Sequence, residues 1–232
     1  MHPRTARLLA WLGLGLGAAA AGGCTVGAGP AVAPLPEDAG QTTDQPYPDG
    51  PYGVGVGSVV RNYAFEGYVD PSQGTGAAYH VPISLGDFYN PTRQGTYPEG
   101  SPFGAGKPRP KGLVINVSAL WCVACKLEAQ NDLPEEYAEF APHGGQLLLD
   151  LAESNAMGQV ASFQELDGWV STFDVRYPSV VDPSYQLGAL FDSAQFPANI
   201  MIDTADMTVV QSVAGRPGES FWLTFDDLLN GP

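Results

Sequence analysis

Cys122 and Cys125 are the residues in this chain whose types and spacing could do chemistry. They enclose Val123-Ala124, follow Trp121, and stand where an apolar, β-branched run (Leu113, Val114, Ile115, Val117) gives way to a helical pattern. The run reads as a buried strand. Two cysteines three apart at a strand-to-helix junction are a redox pair more often than anything else. A thiol in the first helical turn faces unpaired backbone N–H groups and the positive end of the helix dipole. Both favour the thiolate, which is the reactive form. The spacing also lets the second sulfur reach back and close a disulfide. Two alternatives stay open: an inert pair, and half of a zinc site. Zinc needs two more ligands, and beyond residue 23 only His80 and His143 are available, without ligand-like spacing.

The elements that must position this pair are readable on either side of it. After the cysteines, Leu127, Leu133, Tyr137 and Phe140 form a rough helical stripe, which Pro134 kinks or restarts and Gly144-Gly145 ends. Residues 146–151 (QLLLDL) read as a second buried strand, and residues 160–173 as an amphipathic helix with Val160, Phe163, Leu166, Trp169 and Phe173 inward. A short extended link (177–182) and a helical turn or two (185–191) follow. Residues 199–202 and 208–213 read as a hairpin turning at 204–206, and residues 219–229 as a closing helix. Upstream, residues 63–68 and 79–85 read as strands, Pro82 favouring a sheet edge. Residues 87–111 are dense in Gly and Pro and read as a long surface excursion bordering the site. The order predicts a mixed sheet with helices on both faces.

The first 23 residues carry Arg4 and Arg7, an uncharged apolar run from Leu8 to Ala21, and the small residues Ala21-Gly22-Gly23 directly before Cys24. The run is short for a membrane span of about 20 residues. The ending resembles a bacterial lipoprotein signal, in which Cys24 becomes the lipidated first residue of the mature chain. An ordinary secretory signal is the alternative. Residues 24–52 are rich in Gly, Pro, Ala, Thr and Asp and read as a flexible tether; residues 53–232 hold the domain. The chain has 232 residues and a formal net charge of −15. Without Arg4 and Arg7 it is about −17. Such a surface argues against nucleic acid and against electrostatic adhesion to anionic lipid.

Taken together, Trp121-Cys122-Val123-Ala124-Cys125, Phe196-Pro197 and the following hairpin resemble the thioredoxin fold. The closer resemblance is to the TlpA/ResA-like extracytoplasmic thiol-disulfide oxidoreductases. Asn116 stands six before Cys122, Glu128 three after Cys125, Glu153 at the end of the second strand, and YPSVVD at 177–182, each where that family has a comparable residue or motif. The family implies a three-layer α/β/α sandwich with a mixed central sheet, here with an N-terminal β extension. Departures include Val-Ala between the cysteines, Ser118 where Trp is usual, Ala198 in place of Thr, and the insertion at 87–111.

The resemblance implies a membrane-tethered thiol-disulfide oxidoreductase acting outside the cytoplasm and reducing disulfides in protein thiol/disulfide substrates, with a membrane electron donor or acceptor, a lipid anchor at Cys24 and no cofactor beyond the Cys122–Cys125 couple. Cys122, first at the turn, is the nucleophile candidate and Cys125 the resolving thiol. Glu128, on the same helical face as Cys125, is the proton-acceptor candidate, since Asn116 cannot ionise. Pro197 is expected cis, with Phe196, Trp121 and Glu153 lining the substrate side. A peroxiredoxin needs Thr or Ser where Ala119 stands, and a Sco-type copper protein needs CxxxC. The non-enzyme alternative is a binding lipoprotein in which the disulfide is a staple.

Overall fold

The computed structural model describes residues 46–190 and 195–231. The expected signal, Cys24 and most of the tether lie outside the described residues. Strands are β1 (Ala64–Tyr68), β2 (Val81–Ser84), β3 (Gly112–Ala119), β4 (Gly145–Glu153), β5 (Ser179–Val181), β6 (Ala198–Asp203) and β7 (Thr208–Ala214). Helices are α1 (Val123–Asn131), α2 (Leu133–Phe140), α3 (Phe163–Thr172) and α4 (Glu219–Asn230). The sheet order is β2-β1-β5-β4-β3-β6-β7. β3–β4 and β4–β5 are parallel and the other pairs antiparallel. The N-terminal extension is therefore the β1–β2 pair, joined to the sheet through β5. β2 is an edge strand, where the N–H that Pro82 lacks is not missed.

Strand alternation sorts the core into two layers. Val114 on β3 and Leu147, Leu149 and Leu151 on β4 face all four helices, which supply Cys125, Leu133, Phe140, Leu166, Trp169, Phe221 and Phe225. The chain steps from β3 to β4 to β5 in one direction across the sheet, through α1–α2 and then α3. Right-handed crossovers taken in one direction leave their helices on one face. α4 joins them over Gly112 and Gly145, where a Cβ would come within 2.8 Å of the Phe225 ring. Side chains at those two positions would push α4 off the sheet.

The second face differs from the expectation of helices on both sides. It carries Leu113, Ile115, Val117, Leu148, Val180, Ile200 and Ile202, and no α-helix covers it among the described residues. Phe88, Tyr89, Tyr97 and Phe103 of the 87–111 excursion cover it, with Tyr47, Val60, Leu187 and Leu190. Irregular chain against a sheet must still satisfy its backbone polar groups. Asn90 and Arg109, both buried, do this. Asn90 donates to the carbonyls of Arg109 and Pro110 and accepts from the Gly95 N–H, and Arg109 donates to the carbonyl of Asp87. The excursion does not border the cysteines, as its composition suggested. Arg93 ties it to Asp203 and Asn90 ties it to Thr204, at the end of the sheet where β3 begins. Its scattered aromatics hold it there.

Two helix readings are adjusted. Pro134 occupies the first turn of α2, so the helix restarts rather than kinks. Leu127 is 43% exposed and lies off the inward stripe. α3 begins three residues after Val160, capped by a reciprocal pair in which Ser162 and Glu165 satisfy each other's backbone N–H, worth about 1 kcal/mol.

Candidate active site

β3 ends at Ala119, and its neighbour β4 ends at Glu153. The Leu120 N–H donates to the Glu153 carbonyl and the Cys122 N–H to that of Ala119, so the short turn is fixed to both strands. Cys122 then sits at the N-cap of α1 in an extended conformation, and its Sγ accepts the Cys125 N–H at 3.0 Å. The sulfur occupies the place usually taken by a Ser or Asp oxygen. A helix start leaves several N–H groups without partners, and here one of them points at sulfur. Negative charge on Cys122 is thereby favoured. Cys122 and Cys125 are joined as a disulfide, with Cα atoms 5.3 Å apart. Cys122 is 4% exposed and Cys125 fully buried.

The Phe196–Pro197 peptide is cis. β3 and β6 pair with Val117 opposite Ala198, so one further step brings Pro197 level with Ser118, just before the cysteine turn. The Gly215 N–H donates to the Pro197 carbonyl at 2.7 Å, fixing the peptide from the far side. Phe196 meets Trp121 edge to face, ring centroids 5.5 Å apart. Trp121 in turn donates its indole N–H to Glu153 at 2.6 Å, and the Tyr185 hydroxyl donates to the other Glu153 oxygen at 2.7 Å. Glu153 is 2% exposed, so the side chain expected on the substrate side is buried and clasps Trp121 and Tyr185. Val123, inside the CxxC, is the exposed apolar residue of the rim, at 70%.

Glu128 lies beneath. With Cys125 and Ala129 it makes the buried face of α1. Asn116 donates to one carboxyl oxygen at 2.8 Å and Asn199 to the other at 2.9 Å. Asn116 is itself aligned by the Ser118 hydroxyl, and its amide also donates to Asn199. Burial disfavours the charged carboxylate, whereas the two amide donors favour it. Burial dominates, and the Glu128 pKa is pushed up to about 7. A carboxyl poised there can take a proton from a neighbouring thiol near neutral pH.

The structure thus brings Cys122, Cys125, Trp121, Glu153, Phe196 and Pro197 to one end of the sheet, with Glu128 directly behind. Asn199 and Tyr185 belong to the same site and were not singled out from sequence. Asn199 did leave a trace, as the one amide in the apolar strand ANIMID, in register with Asn116. Tyr185 left none, because its hydroxyl reaches Glu153 across the sheet end from a residue with a positive φ.

No protein-family model matches the sequence, and no curated protein matches it. Solved structures do. A Chlorobium tepidum protein described as a thiol:disulfide interchange protein DsbE superposes with a TM-score of 0.50 at 16% identity, over 76% of this chain and 99% of that one. A secreted thiol-disulfide isomerase from Corynebacterium glutamicum gives 0.50 at 17%, over 75% and 86%. A hypothetical protein from Sinorhizobium meliloti gives 0.53 at 12%, over 76% and 85%. With a cysteine pair at the head of α1 and a cis proline at the neighbouring strand, the chain has the thioredoxin fold.

Proposed function

We propose that the chain is a thiol-disulfide oxidoreductase working outside the cytoplasm, tethered to a membrane through Cys24, and reducing disulfides in other proteins. The observation that carries this is the Cys122 sulfur capping α1 beside cis Pro197, with Cys125 and Glu128 buried behind it. In the reduced protein the Cys122 thiolate attacks one sulfur of a target disulfide. A mixed disulfide forms, and the target's other sulfur leaves and takes a proton. Cys125 then gives its proton to Glu128 and attacks Cys122 Sγ, which restores the Cys122–Cys125 disulfide and releases the second target thiol. Two electrons have moved to the target, and a dithiol donor must return them. Trp121 and Phe196 form an apolar wall against which an extended segment of the target lies.

The location rests on the resemblance of residues 1–24 to a lipoprotein signal and on the secreted C. glutamicum neighbour. No helix among the described residues is long and apolar enough to cross a membrane. Fatty-acid labelling that disappears in Cys24→Ala is the expected result for the anchor.

A second reading, a binding lipoprotein with the disulfide as staple, draws on the near-complete burial of both sulfurs. The reduction potential separates the two. A catalytic couple is expected between about −270 and −180 mV, whereas a value below about −300 mV makes the disulfide structural. Insulin reduction by the purified chain is expected, and Cys125→Ser is expected to trap a mixed disulfide through Cys122. Trapping by Cys122→Ser instead would reverse the two roles.

A further inference from the structure

The end of the sheet remote from Cys122 holds a cleft of about 530 Å³. It lies where β3, β4 and β5 begin, one strand length from the cysteines, about 25 Å along the eight residues of β3. The chain has ten lysines and arginines, and Arg4 and Arg7 precede the domain, leaving eight. Five of those eight line this one cleft: Arg93, Lys107, Arg109, Lys111 and Arg176. An even spread over the described residues would put about one there. His143 lies beside them, and Asp70 is the single carboxylate in the lining. In a chain of net charge −15, this concentration is the reverse of its surroundings.

The cations are not equivalent. Arg93 and Arg109 are bound up in the fold, Arg93 with Asp203 and the Leu228 carbonyl, Arg109 with the carbonyls of the excursion. Asp203 largely cancels the Arg93 charge, so the fixed positive field comes from Arg109. The Lys111 ammonium makes one hydrogen bond among the described residues, 3.3 Å to the Leu229 carbonyl at the end of α4, which leaves donors over. Arg176 is paired with Asp174 at the surface, both partners mostly exposed. Lys107 is exposed, and its ammonium has no polar partner among the described residues, its backbone alone bonding Gly104 and Tyr97. Asp70 keeps its charge, although its oxygens accept from the Ser72 N–H and hydroxyl and from Gln73, and it offsets one of the cations. Three aromatic residues contribute to the lining: Tyr97 and Phe103, nearly buried, stacked on each other and with Arg109 over the Tyr97 ring, and Tyr137, which is partly exposed. The excursion that the thioredoxin-fold core does not need supplies Arg93, Lys107, Arg109 and both stacked rings.

We infer that this cleft binds a phosphate ester of a small organic group. The phosphate meets Lys107, Lys111 and Arg176 in a field set by Arg109, and the organic part lies against the partly exposed Tyr137. Several cations converging on one cleft suit a multiply charged oxyanion better than a lone carboxylate. The volume exceeds that of a bare anion and falls in the range of small-ligand sites. The site is separate from the cysteines and does not depend on their chemistry. Two sources carry this group, a soluble ester or a phospholipid headgroup. The chain enters the domain at this same end, Tyr47 packing on Tyr89 and bonding the Val60 carbonyl, so a headgroup is within geometric reach.

The test titrates the full chain with inorganic phosphate, then glycerol 3-phosphate, then vesicles of phosphatidylcholine with or without phosphatidylglycerol. NMR shifts around residues 107, 143–146 and 176 give the readout, with sodium chloride at matched ionic strength as the control. Lys107→Ala/Arg176→Ala changes only exposed side chains, and unchanged alkylation of reduced Cys122 verifies that it folds. Saturable shifts with either soluble ligand, weakened about tenfold or more in the double variant, establish a soluble phosphate site; that loss is what removal of two charge-assisted contacts implies. Binding to phosphatidylglycerol vesicles alone, lost in the double variant, assigns the phosphate to lipid. Shifts that chloride reproduces, shifts equal in the double variant, or no saturable response with any of the three probes would overturn the inference.

Discussion

Glu128 is the residue on which two opposed demands meet. Full burial on α1 argues for the neutral acid, while two amide donors, Asn116 and Asn199, argue for the carboxylate. The outcome, near 7, gives a group that changes charge where cells live. Glu128→Gln keeps the volume and removes the titration. Proton removal from Cys125 then has no neighbouring acceptor, and release of the mixed disulfide is expected to slow by about 10²-fold. The inflection near pH 7 in the rate of that step is expected to vanish. Rapid-quench measurement of the resolving step across pH 5–9 checks both effects. A wild-type-like pH profile in the variant would remove Glu128 from the mechanism and leave it as a packed polar group. Asn199→Ala offers a complementary reading, since loss of one donor moves the inflection to higher pH without abolishing it.

At the scale of elements, the extension joins the core sheet through one short pairing. β1 meets the sheet only through β5, a strand of three residues, and Gly67 lies opposite Val180 in that pairing. A Cβ at Gly67 would fall 2.1 Å from the Ser179 carbonyl oxygen and 2.8 Å from the Val180 Cα, both backbone atoms that cannot swing aside. Gly67→Ala is therefore expected to part β1 from β5 and to cost about 3 kcal/mol or more, with denaturant midpoints and amide exchange in β1 as the measurement. Stability within about 0.5 kcal/mol of wild type would show that the pairing does not depend on this close approach. The same scale explains what could be read in advance. The run from Leu113 to Val117, the CxxC and the closing helix were legible because burial and periodicity coincide there. The second covering layer was not, because Phe88, Tyr89, Tyr97 and Phe103 are spaced irregularly among Gly and Pro and carry no period. Each of them finds its place only against a sheet face already formed by distant strands. Leu127 misled for the opposite reason: it has the right spacing, but the helix turns it towards solvent beside the exposed Val123.

For the whole molecule, the buried acids set how stability follows pH. Glu128 is raised to about 7 by burial, and Glu136 to about 7 by partial burial and then by Glu139, Glu135 and Asp132 around it. Asp150 is fully buried on β4, neither of its oxygens has a hydrogen-bond partner among the described residues, and burial lifts it well above the carboxylate range. Asp182 is raised by burial as well. Glu165 runs the other way, its hydrogen bonds from Ser154 and Ser162 outweighing its burial. A carboxyl whose pKa is higher folded than unfolded stabilises fully below its unfolded value. That contribution is lost as pH rises through the folded value. For Glu128 the window runs from about 4.5 to about 7, and the shift corresponds to about 3 kcal/mol. Repulsion among the net negative charges adds in the same direction, but salt screens it, whereas the buried groups are screened little. The expected outcome is a Tm lower by about 5 °C or more at pH 8 than at pH 5 in 0.5 M salt, read by calorimetry on the disulfide form. Glu128→Gln and Asp150→Asn together are expected to flatten that slope by raising the pH 8 value. A wild-type Tm that stays level or climbs from pH 5 to pH 8 would mean that these carboxyls reach water, or partners, in the folded protein.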